Sequence, residues 1–160
     1  RIKAFSTGPQ KHRIVLATED EPGRKLTILA QLKRKENGAS IANAGIFLYQ
    51  ANSEGEYEEA VPGDETTARI KGTVTSDAKG WFMVTTVLPG DYANKPNNRH
   101  IHITVDGAKP EFYDFYFRQF ASRGLLSWVE DNDQAILLDL AVGPDGTLIS
   151  VTEMPVRGYQ

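Results

Sequence analysis

Apolar and polar residues alternate along several short stretches of this chain, and an alternation with a period of two predicts β-strands. The clearest stretch is followed by a turn signal at Asn37-Gly38. The predicted strands cover residues 26–32, 44–50, 69–75, 81–87 and about 101–105, with a final hairpin joining 135–141 to 147–151 across Pro144-Asp145-Gly146. The pattern shows no long amphipathic helix.

Short strands separated by turn residues are typical of an antiparallel β-sandwich, so we predict an all-β fold in one domain over residues 1–160. Residues 1–24 form a polar N-terminal extension in which Ile14-Val15-Leu16 can add an edge strand. Two long connections are predicted at residues 52–68 and 106–134. Long connections on a compact sandwich are candidate walls of a site.

Composition and charge argue against several classes of partner. The net charge is −3 and no basic stripe is evident, so nucleic acid is not an expected partner. No cysteine is available for a disulfide or a thiolate metal site. No apolar run approaches the roughly 20 residues of a membrane span. The sequence begins at Arg1 and not at Met, which either a removed leader or an engineered start explains; of the two we favour an exported protein, periplasmic or extracellular.

The segment from Arg99 to His102 carries the strongest chemical signal. On a strand, residues i and i+2 point to the same face, so His100 and His102 present two imidazoles side by side. Such a pair is a candidate set of metal ligands. The other interpretation is a polar strand face whose imidazoles bind backbone carbonyls or water.

Tyr57 and Tyr92 are two further candidate donors. A phenolate oxygen is a hard, anionic ligand that suits ferric iron, so a tyrosine close to the histidine pair favours iron over zinc. Tyr92 follows Pro89-Gly90 and is also consistent with a turn residue packed on the core. Tyr57 has the same ordinary interpretation.

In combination, these motifs resemble those of the intradiol ring-cleavage dioxygenases. Residues 46–57 resemble the segment that ends in the family's first tyrosine ligand. Residues 75–92 resemble its Thr-Asp-x-x-Gly strand and Pro-Gly-x-Tyr turn, and residues 99–102 resemble its His-Ile-His ligands. The motifs occur in the family's order over about residues 44–105, and the family fold is also a sandwich.

The resemblance implies a mononuclear non-haem Fe(III) bound by Tyr57, Tyr92, His100 and His102. It implies that Tyr92 and His102 are axial ligands and that Tyr57 and His100 are equatorial. The implied partners are a catecholic substrate and O2, and the implied product is a muconate-type diacid. Tyr92 is expected to leave the metal and accept a substrate proton, which gives it a catalytic role.

Two positions depart from the family pattern. Asn97 stands where the family has an arginine thought to stabilise anionic intermediates. The nearby cation is Arg99, a candidate catalytic residue or a surface residue that points away from His100. Asp114 stands where the family has a glutamine, two residues before Tyr116. Asp114 and Tyr116 are candidate substrate-binding residues, although Asp114 is also consistent with an exposed loop carboxylate.

Other functions remain open from the sequence. One is a non-catalytic, transthyretin-like binding module, and another is a protein that binds ferric iron or a catechol without turnover. Many functions share the sandwich fold, so the four candidate ligands rather than the fold favour a metal site. A zinc hydrolase is less favoured, because no matched motif supplies a carboxylate ligand. Tyr113, Tyr116, Trp81 and the acidic residues 54–65 are candidates for shaping the pocket, and each is also consistent with ordinary packing or a solvated surface. The oligomeric state is open.

Overall fold

The computed structural model describes residues 10–91 and 95–160. The strands in these ranges are β1 (Arg13–Val15), β2 (Lys25–Arg34), β3 (Gly45–Gln50), β4 (Ile70–Thr75), β5 (Trp81–Val87), β6 (Asn98–Val105), β7 (Phe112–Ala121), β8 (Ala135–Leu138), β9 (Ala141–Val142) and β10 (Leu148–Val156). A helix, α1, spans Arg123–Glu130, and short 3-10 turns lie at Gln10–His12 and Glu65–Thr67. No helix in the described part of the chain is long and apolar enough to cross a membrane.

The strands form two five-stranded sheets, ordered β1-β5-β2-β10-β9 and β4-β3-β6-β7-β8. This arrangement confirms the predicted all-β sandwich. The sheets are mixed, however, and not purely antiparallel: β1 pairs in parallel with β5, β10 with β2, and β8 with β7. Parallel neighbours are joined by long connections and not by tight turns, so local turn signals cannot reveal them.

Strand alternation places one face of each sheet in a shared core. The core-facing residues of β6 and β7 are at most 2% exposed: Ile101, Ile103, Val105, Tyr113, Phe115 and Phe117. Burying one such side chain contributes about 1.5–3 kcal/mol, and a register slip of one residue would expose them all. The core therefore fixes the direction of the intervening residues, which face outward: His100, His102, Asp114 and Tyr116.

The strands predicted in the first two thirds of the chain are confirmed. They correspond to β2 to β6, and the predicted edge strand corresponds to β1 at the edge of the first sheet. The prediction for residues 106–134 is wrong, because that connection contains β7 and α1. Aromatic residues occur on both faces of β7, since its outer face is also partly covered, and this removes the alternation that identifies a strand.

The predicted C-terminal hairpin is only partly correct. Residues 135–138 form β8, which pairs with β7 in the second sheet. Only the two residues of β9 pair with β10 in the first sheet. The chain therefore crosses between the sheets after β8, at a point where the apolar pattern of residues 135–141 shows no break.

Candidate metal centre

The candidate ligands lie on the outer face of the second sheet. Cross-strand register places Tyr49 of β3 and Asp114 of β7 on either side of His102. The same register places Tyr116 beside His100. Side chains directly opposite each other on neighbouring strands are about 5 Å apart at Cβ, so the sheet itself brings these groups together.

Tyr57 reaches this face from the loop between β3 and β4, residues 51–69. Its side chain is 6% exposed and packs with Ala51 and Ala68. The Tyr57 hydroxyl lies 2.9 Å from Nε2 of His102. The structure thus brings together Tyr57 and the two histidines, which the sequence predicted as a group.

The Tyr57 loop lies directly against the turn at residues 89–91. The Gly90 N–H donates to the Asn52 carbonyl at 2.8 Å. A Cβ on Gly90 would collide with backbone atoms of the loop, and one on Gly55, whose φ is 87°, would collide with the backbone of the turn. These two glycines therefore permit a close backbone contact that a larger residue would prevent.

Tyr92 follows this turn immediately but lies outside the described residues. Its predicted roles as fourth ligand and proton acceptor therefore stay predictions. The described contact between the turn and the Tyr57 loop shows only that the chain approaches the site just before that position.

Hydrogen bonds at Nδ1 fix the orientation of both imidazoles. His100 Nδ1 lies 2.7 Å from the Asn98 carbonyl oxygen, and His102 Nδ1 lies 2.8 Å from Asp114 Oδ1. A carbonyl or carboxylate oxygen accepts a hydrogen bond, so each Nδ1 carries a proton and donates. Each Nε2 then presents its lone pair towards the site. A histidine that binds a metal is commonly held in this way.

The donor atoms fit a single metal ion. The two Nε2 atoms are 3.1 Å apart, and Tyr57 Oη is 2.9 Å from His102 Nε2. Metal bonds of about 2.1 Å at right angles separate neighbouring donors by about 3 Å. Two lone pairs facing each other at this distance also favour a cation between them. Two imidazoles and a phenol oxygen form a donor set that suits iron.

The candidate set combines a phenol oxygen with two imidazoles. In residues 10–91 and 95–160, no group of three or more His, Cys, Asp or Glu side chains is arranged to hold a metal ion.

Burial sets the protonation of the surrounding rings. It is the main cause that lowers the pKa of His100, and the adjacent His102 lowers it further. The neutral imidazole that a metal needs is therefore favoured. Burial raises the pKa of Tyr116 to about 12, with a further contribution from Asp114. Tyr116 is therefore a neutral phenol at ordinary pH.

Helix α1 covers one side of the site. Its N-cap Ser122 accepts a hydrogen bond from the Leu125 N–H at 3.1 Å, which fixes where the helix begins. Trp128 on this helix meets the Tyr116 ring edge-on, with centroids 5.8 Å apart. Tyr116 in turn lies 5.4 Å from the His100 ring. The predicted site residue Tyr116 is therefore buried, and its ring packs between His100 and Trp128.

Asp114 contacts a candidate ligand directly. The sequence suggested either a substrate contact or an exposed loop carboxylate, but the residue lies on β7 and its side chain binds His102. The loop interpretation is wrong because Asp114 lies within β7, where aromatic residues on both faces hide the alternation that identifies a strand. A substrate contact by Asp114 stays a prediction.

Two residues near the site were not singled out from the sequence: Tyr49 was not named, and Glu65 was named only as part of the acidic stretch 54–65. Glu65 Oε2 lies 3.6 Å from His102 Nε2, and the Tyr49 ring stacks on the His102 ring with centroids 4.7 Å apart. The signal for Tyr49 was its outward position on a strand beside the histidine strand. Glu65 had no distinguishing signal, because its loop contains several similar carboxylates.

Arg99 makes contacts that are separate from those of His100. Its Nε lies 3.6 Å from Asp91 Oδ1, and its guanidinium carbon lies 4.6 Å from the centre of the Phe120 ring. These contacts connect Arg99 to the turn before Tyr92. Its predicted catalytic role stays a prediction.

Two of the residues considered for the pocket pack elsewhere. Trp81 clusters with Leu29 and Met83 on the outer face of the first sheet. Tyr113 is 2% exposed in the core, where its hydroxyl accepts a hydrogen bond from the Arg157 N–H at 3.0 Å. For both residues the packing interpretation is therefore the correct one.

Comparisons with known proteins agree with this architecture. The sequence matches a family model described as Dioxygenase over residues 4–119. The fold resembles the dioxygenase domain of a dioxygenase carbohydrate-binding protein fusion from Streptomyces sp. SirexAA-E, with 21% identity, 88% of this chain and 84% of that chain covered, and a TM-score of 0.67. No curated protein sequence matches the chain significantly.

Two further solved structures have the same fold. One is an intradiol ring-cleavage dioxygenase from Tetranychus urticae, with 18% identity, 93% of this chain and 87% of that chain covered, and a TM-score of 0.64. The other is 3-chlorocatechol 1,2-dioxygenase from Rhodococcus opacus 1CP, with 18% identity, 92% and 65% covered, and a TM-score of 0.65. At these identities the structural likeness concerns the fold. Together with the family model, which covers more than half of the sequence, it shows that the chain belongs to the intradiol ring-cleavage dioxygenase family.

Proposed function

We propose that the protein is a non-haem Fe(III) dioxygenase that opens a catechol ring between its two hydroxyl-bearing carbons. The observation that carries this proposal is the convergence of Tyr57 Oη and the Nε2 atoms of His100 and His102 within 2.9 and 3.1 Å. Membership of the intradiol family supports the reaction class. The proposed product is a muconate-type diacid that contains both atoms of O2.

Four side chains would hold the ferric ion: Tyr57, His100, His102 and, by the family pattern, Tyr92. When bound, the ion supplies the Lewis acidity that draws electron density from a catecholate and makes the ring reactive towards O2. Asp114 holds the proton on Nδ1 of His102 and so keeps Nε2 available as a donor. The Asn98 carbonyl does the same for His100.

The surrounding residues bind the substrate and manage its protons. A catechol that binds through both oxygens must lose two protons: we assign one of them to Oη of Tyr92, by the family pattern, and the other to a hydroxide ion. Tyr49 and Tyr116 flank the histidine rings with aromatic surface and limit the access of water. Trp128 packs against Tyr116 from α1 and completes that wall.

A second candidate function is ferric or catechol binding without turnover. It is favoured by the position of Arg99, which contacts Asp91 and Phe120 instead of the histidine pair. Arg99 therefore does not lie beside the two histidines, where a cation could stabilise anionic intermediates. Product formation separates the two candidates.

The test uses metal-depleted protein loaded with ferric iron, metal analysis, and catechol under ¹⁸O2. The dioxygenase proposal predicts about one iron per chain and a ring-opened diacid that carries two labelled oxygen atoms. Binding of iron and catechol without oxygen uptake would support the second candidate. Failure to bind iron would contradict both.

A further inference from the structure

Glu65 borders the space in front of the metal-facing nitrogen of His102. Its Oε2 is 3.6 Å from that Nε2, and its side chain is 33% exposed. This separation exceeds a hydrogen bond, and it places the carboxylate beside the candidate metal position. Its 3-10 turn is fixed by Asp64, whose Oδ1 accepts a hydrogen bond from the Thr66 N–H at 3.1 Å.

Negative charge extends over this side of the site. Asp114 lies on the other side of the same imidazole, 2.8 Å from Nδ1. Burial is the main cause that raises the pKa of Tyr49, and Glu65, Asp114 and Asp64 raise it further. Among the described residues, the charged groups that shift the pKa of Tyr49 are all carboxylates.

Described cations around this face are paired elsewhere or distant from His102; Arg118, on the outer face of β7, pairs with Asp139 at 2.6 Å. Arg99 contacts Asp91 and Phe120, as described above. Lys71 lies opposite Tyr49 on β4, which places it two strands away from His102, and it is exposed to solvent. The carboxylate nearest to the reacting position is therefore Glu65, because Asp114 is bound to the far side of the ring.

From this arrangement we infer that Glu65 is a specificity-determining residue that favours uncharged and cationic catechols over catechols that carry a carboxylate. The inference rests on the proposed function, since it names the class of catechol that the site accepts. A catechol bound at the candidate metal position would bring its ring substituents near the Glu65 carboxylate, which lies 3.6 Å from His102 Nε2. Charges in a partly desolvated pocket interact more strongly than in water, so an anionic substituent is repelled and a cationic one is attracted.

The test compares two catechols of similar length and opposite charge, dopamine and dihydrocaffeate, with catechol itself as the uncharged reference. Dissociation constants are measured anaerobically from the absorbance change of the ferric-loaded protein and by calorimetry. We expect wild-type protein to bind dopamine at least about tenfold more tightly than dihydrocaffeate, with the ratio falling as salt is added.

Three variants make the test specific. Glu65→Gln keeps the size of the side chain, so it should reduce the affinity ratio at least about fivefold while the dissociation constant for catechol changes less than about threefold. Glu65→Lys should invert the preference. Glu54→Gln removes an exposed charge from the same loop and should leave the ratio unchanged.

Different results would contradict the specificity role of Glu65 and the proposed function. Equal affinities of wild-type protein for dopamine and dihydrocaffeate, or a ratio that Glu65→Gln leaves unchanged, would overturn the inference and leave the proposed function intact. A ferric-loaded protein that binds no catechol would overturn both. Thermal unfolding of each variant checks that the fold is retained.

Discussion

The hydrogen bonds at His100 and His102 decide which nitrogen of each ring faces the candidate metal. Both Nδ1 atoms donate to fixed oxygen acceptors, at 2.7 and 2.8 Å, so both Nε2 lone pairs point to one place. The backbone carbonyl of Asn98 cannot be removed by substitution, whereas the carboxylate of Asp114 can. Asp114 therefore offers a direct test of how the ligands are oriented.

We expect Asp114→Asn to weaken iron binding by roughly 10- to 100-fold, because a neutral amide holds the His102 ring less firmly in the binding orientation. Competition with a chelator measures the affinity. The matched control is Asp139→Asn, which removes a carboxylate with a 69% exposed side chain that pairs with Arg118. Equal loss of affinity in both variants would assign the effect to net charge and contradict the orienting role.

Two buried serines differ in whether their hydroxyl groups are hydrogen-bonded. Ser150 Oγ is buried without a hydrogen-bond partner in the described structure. Ser76 Oγ donates to the Ile41 carbonyl at 2.7 Å and accepts from the Ala44 N–H at 3.0 Å. Loss of a satisfied hydroxyl leaves its partners unpaired, whereas loss of an unsatisfied one removes a desolvation penalty.

Ser150→Ala should therefore leave the free energy of unfolding unchanged or raise it by up to about 1 kcal/mol, and Ser76→Ala should lower it by about 1–3 kcal/mol. Denaturant unfolding of both variants measures the difference. A Ser150→Ala variant less stable than Ser76→Ala would contradict this assignment.

At the residue scale, the sequence identified the candidate ligands better than the residues that contact them. Tyr57, His100 and His102 belong to recognisable motifs, and the structure brings them together. The contacts of Glu65 and Asp114 with His102 depend on loop and strand geometry in three dimensions. A carboxylate among many others in an acidic loop carries no local mark of such a contact.

At the element scale, the contact between the loop at 51–69 and the turn at 89–91 positions Tyr57. Gly55 and Gly90 allow the two backbones to approach, and the Gly90 N–H donates to Asn52. The loop would have to move away if either glycine gained a side chain. The candidate metal centre therefore depends on a backbone contact that contains no ligand.

Gly90→Ala should lower both the melting temperature and the affinity for iron, because its Cβ would collide with loop backbone. Calorimetry and metal analysis measure the two effects. Gly124→Ala is the control, since the nearest atom to its Cβ, Ser122 Oγ, is 4.0 Å away, and alanine favours the helix. Normal iron affinity in Gly90→Ala would contradict the positioning role.

Arg69 anchors the end of the same loop. Its guanidinium donates to Glu21 at 2.6 and 3.0 Å and to Glu58 at 2.8 Å. Hydrogen bonding to Arg69 is the main cause that lowers the pKa of both carboxyl groups from an ordinary value of 4.5. A pKa lowered in the folded state contributes stability above the unfolded pKa, and this contribution is lost as the pH falls through the lowered folded value.

Arg69→Met should therefore be less stable than wild type near neutral pH, and the difference should shrink as the pH falls below about 4.5. Melting temperatures measured from pH 7 to pH 3 provide the comparison. Exposure to solvent and salt keeps the effect small. A difference that stays constant over this range would assign the role of Arg69 to packing and not to charge.

Elements were predictable where one face is buried and the other is solvated. The alternation along β2 to β6 identifies such strands. In contrast, β7 has aromatic residues on both faces: the inner face packs in the core between the sheets, and α1 covers part of the outer face. The helix is only eight residues long, so its apolar periodicity covers little more than two turns. Pairing of β8 with β7 depends on a crossover and has no local signal at all.

At the scale of the whole molecule, the sandwich separates stability from chemistry. The inward residues of β6 and β7 form the core, and the outward residues of the same strands form the candidate site. A strand locked by its core face offers its outer face as a rigid platform, which suits a metal site that needs fixed donor geometry. Sequence alternation predicted the sandwich, but the mixed order of strands required the structure.

The central claim is that a tyrosine and two histidines of this chain hold ferric iron with room for a catechol. The most direct test is the visible absorption spectrum of the ferric-loaded protein, before and after anaerobic addition of catechol, for wild type and Tyr57→Phe. We predict a phenolate-to-iron charge-transfer band that shifts with catechol. In Tyr57→Phe this band should be lost or strongly shifted, with the fold retained. A loaded protein without such a band, or a band unchanged in Tyr57→Phe, would contradict it.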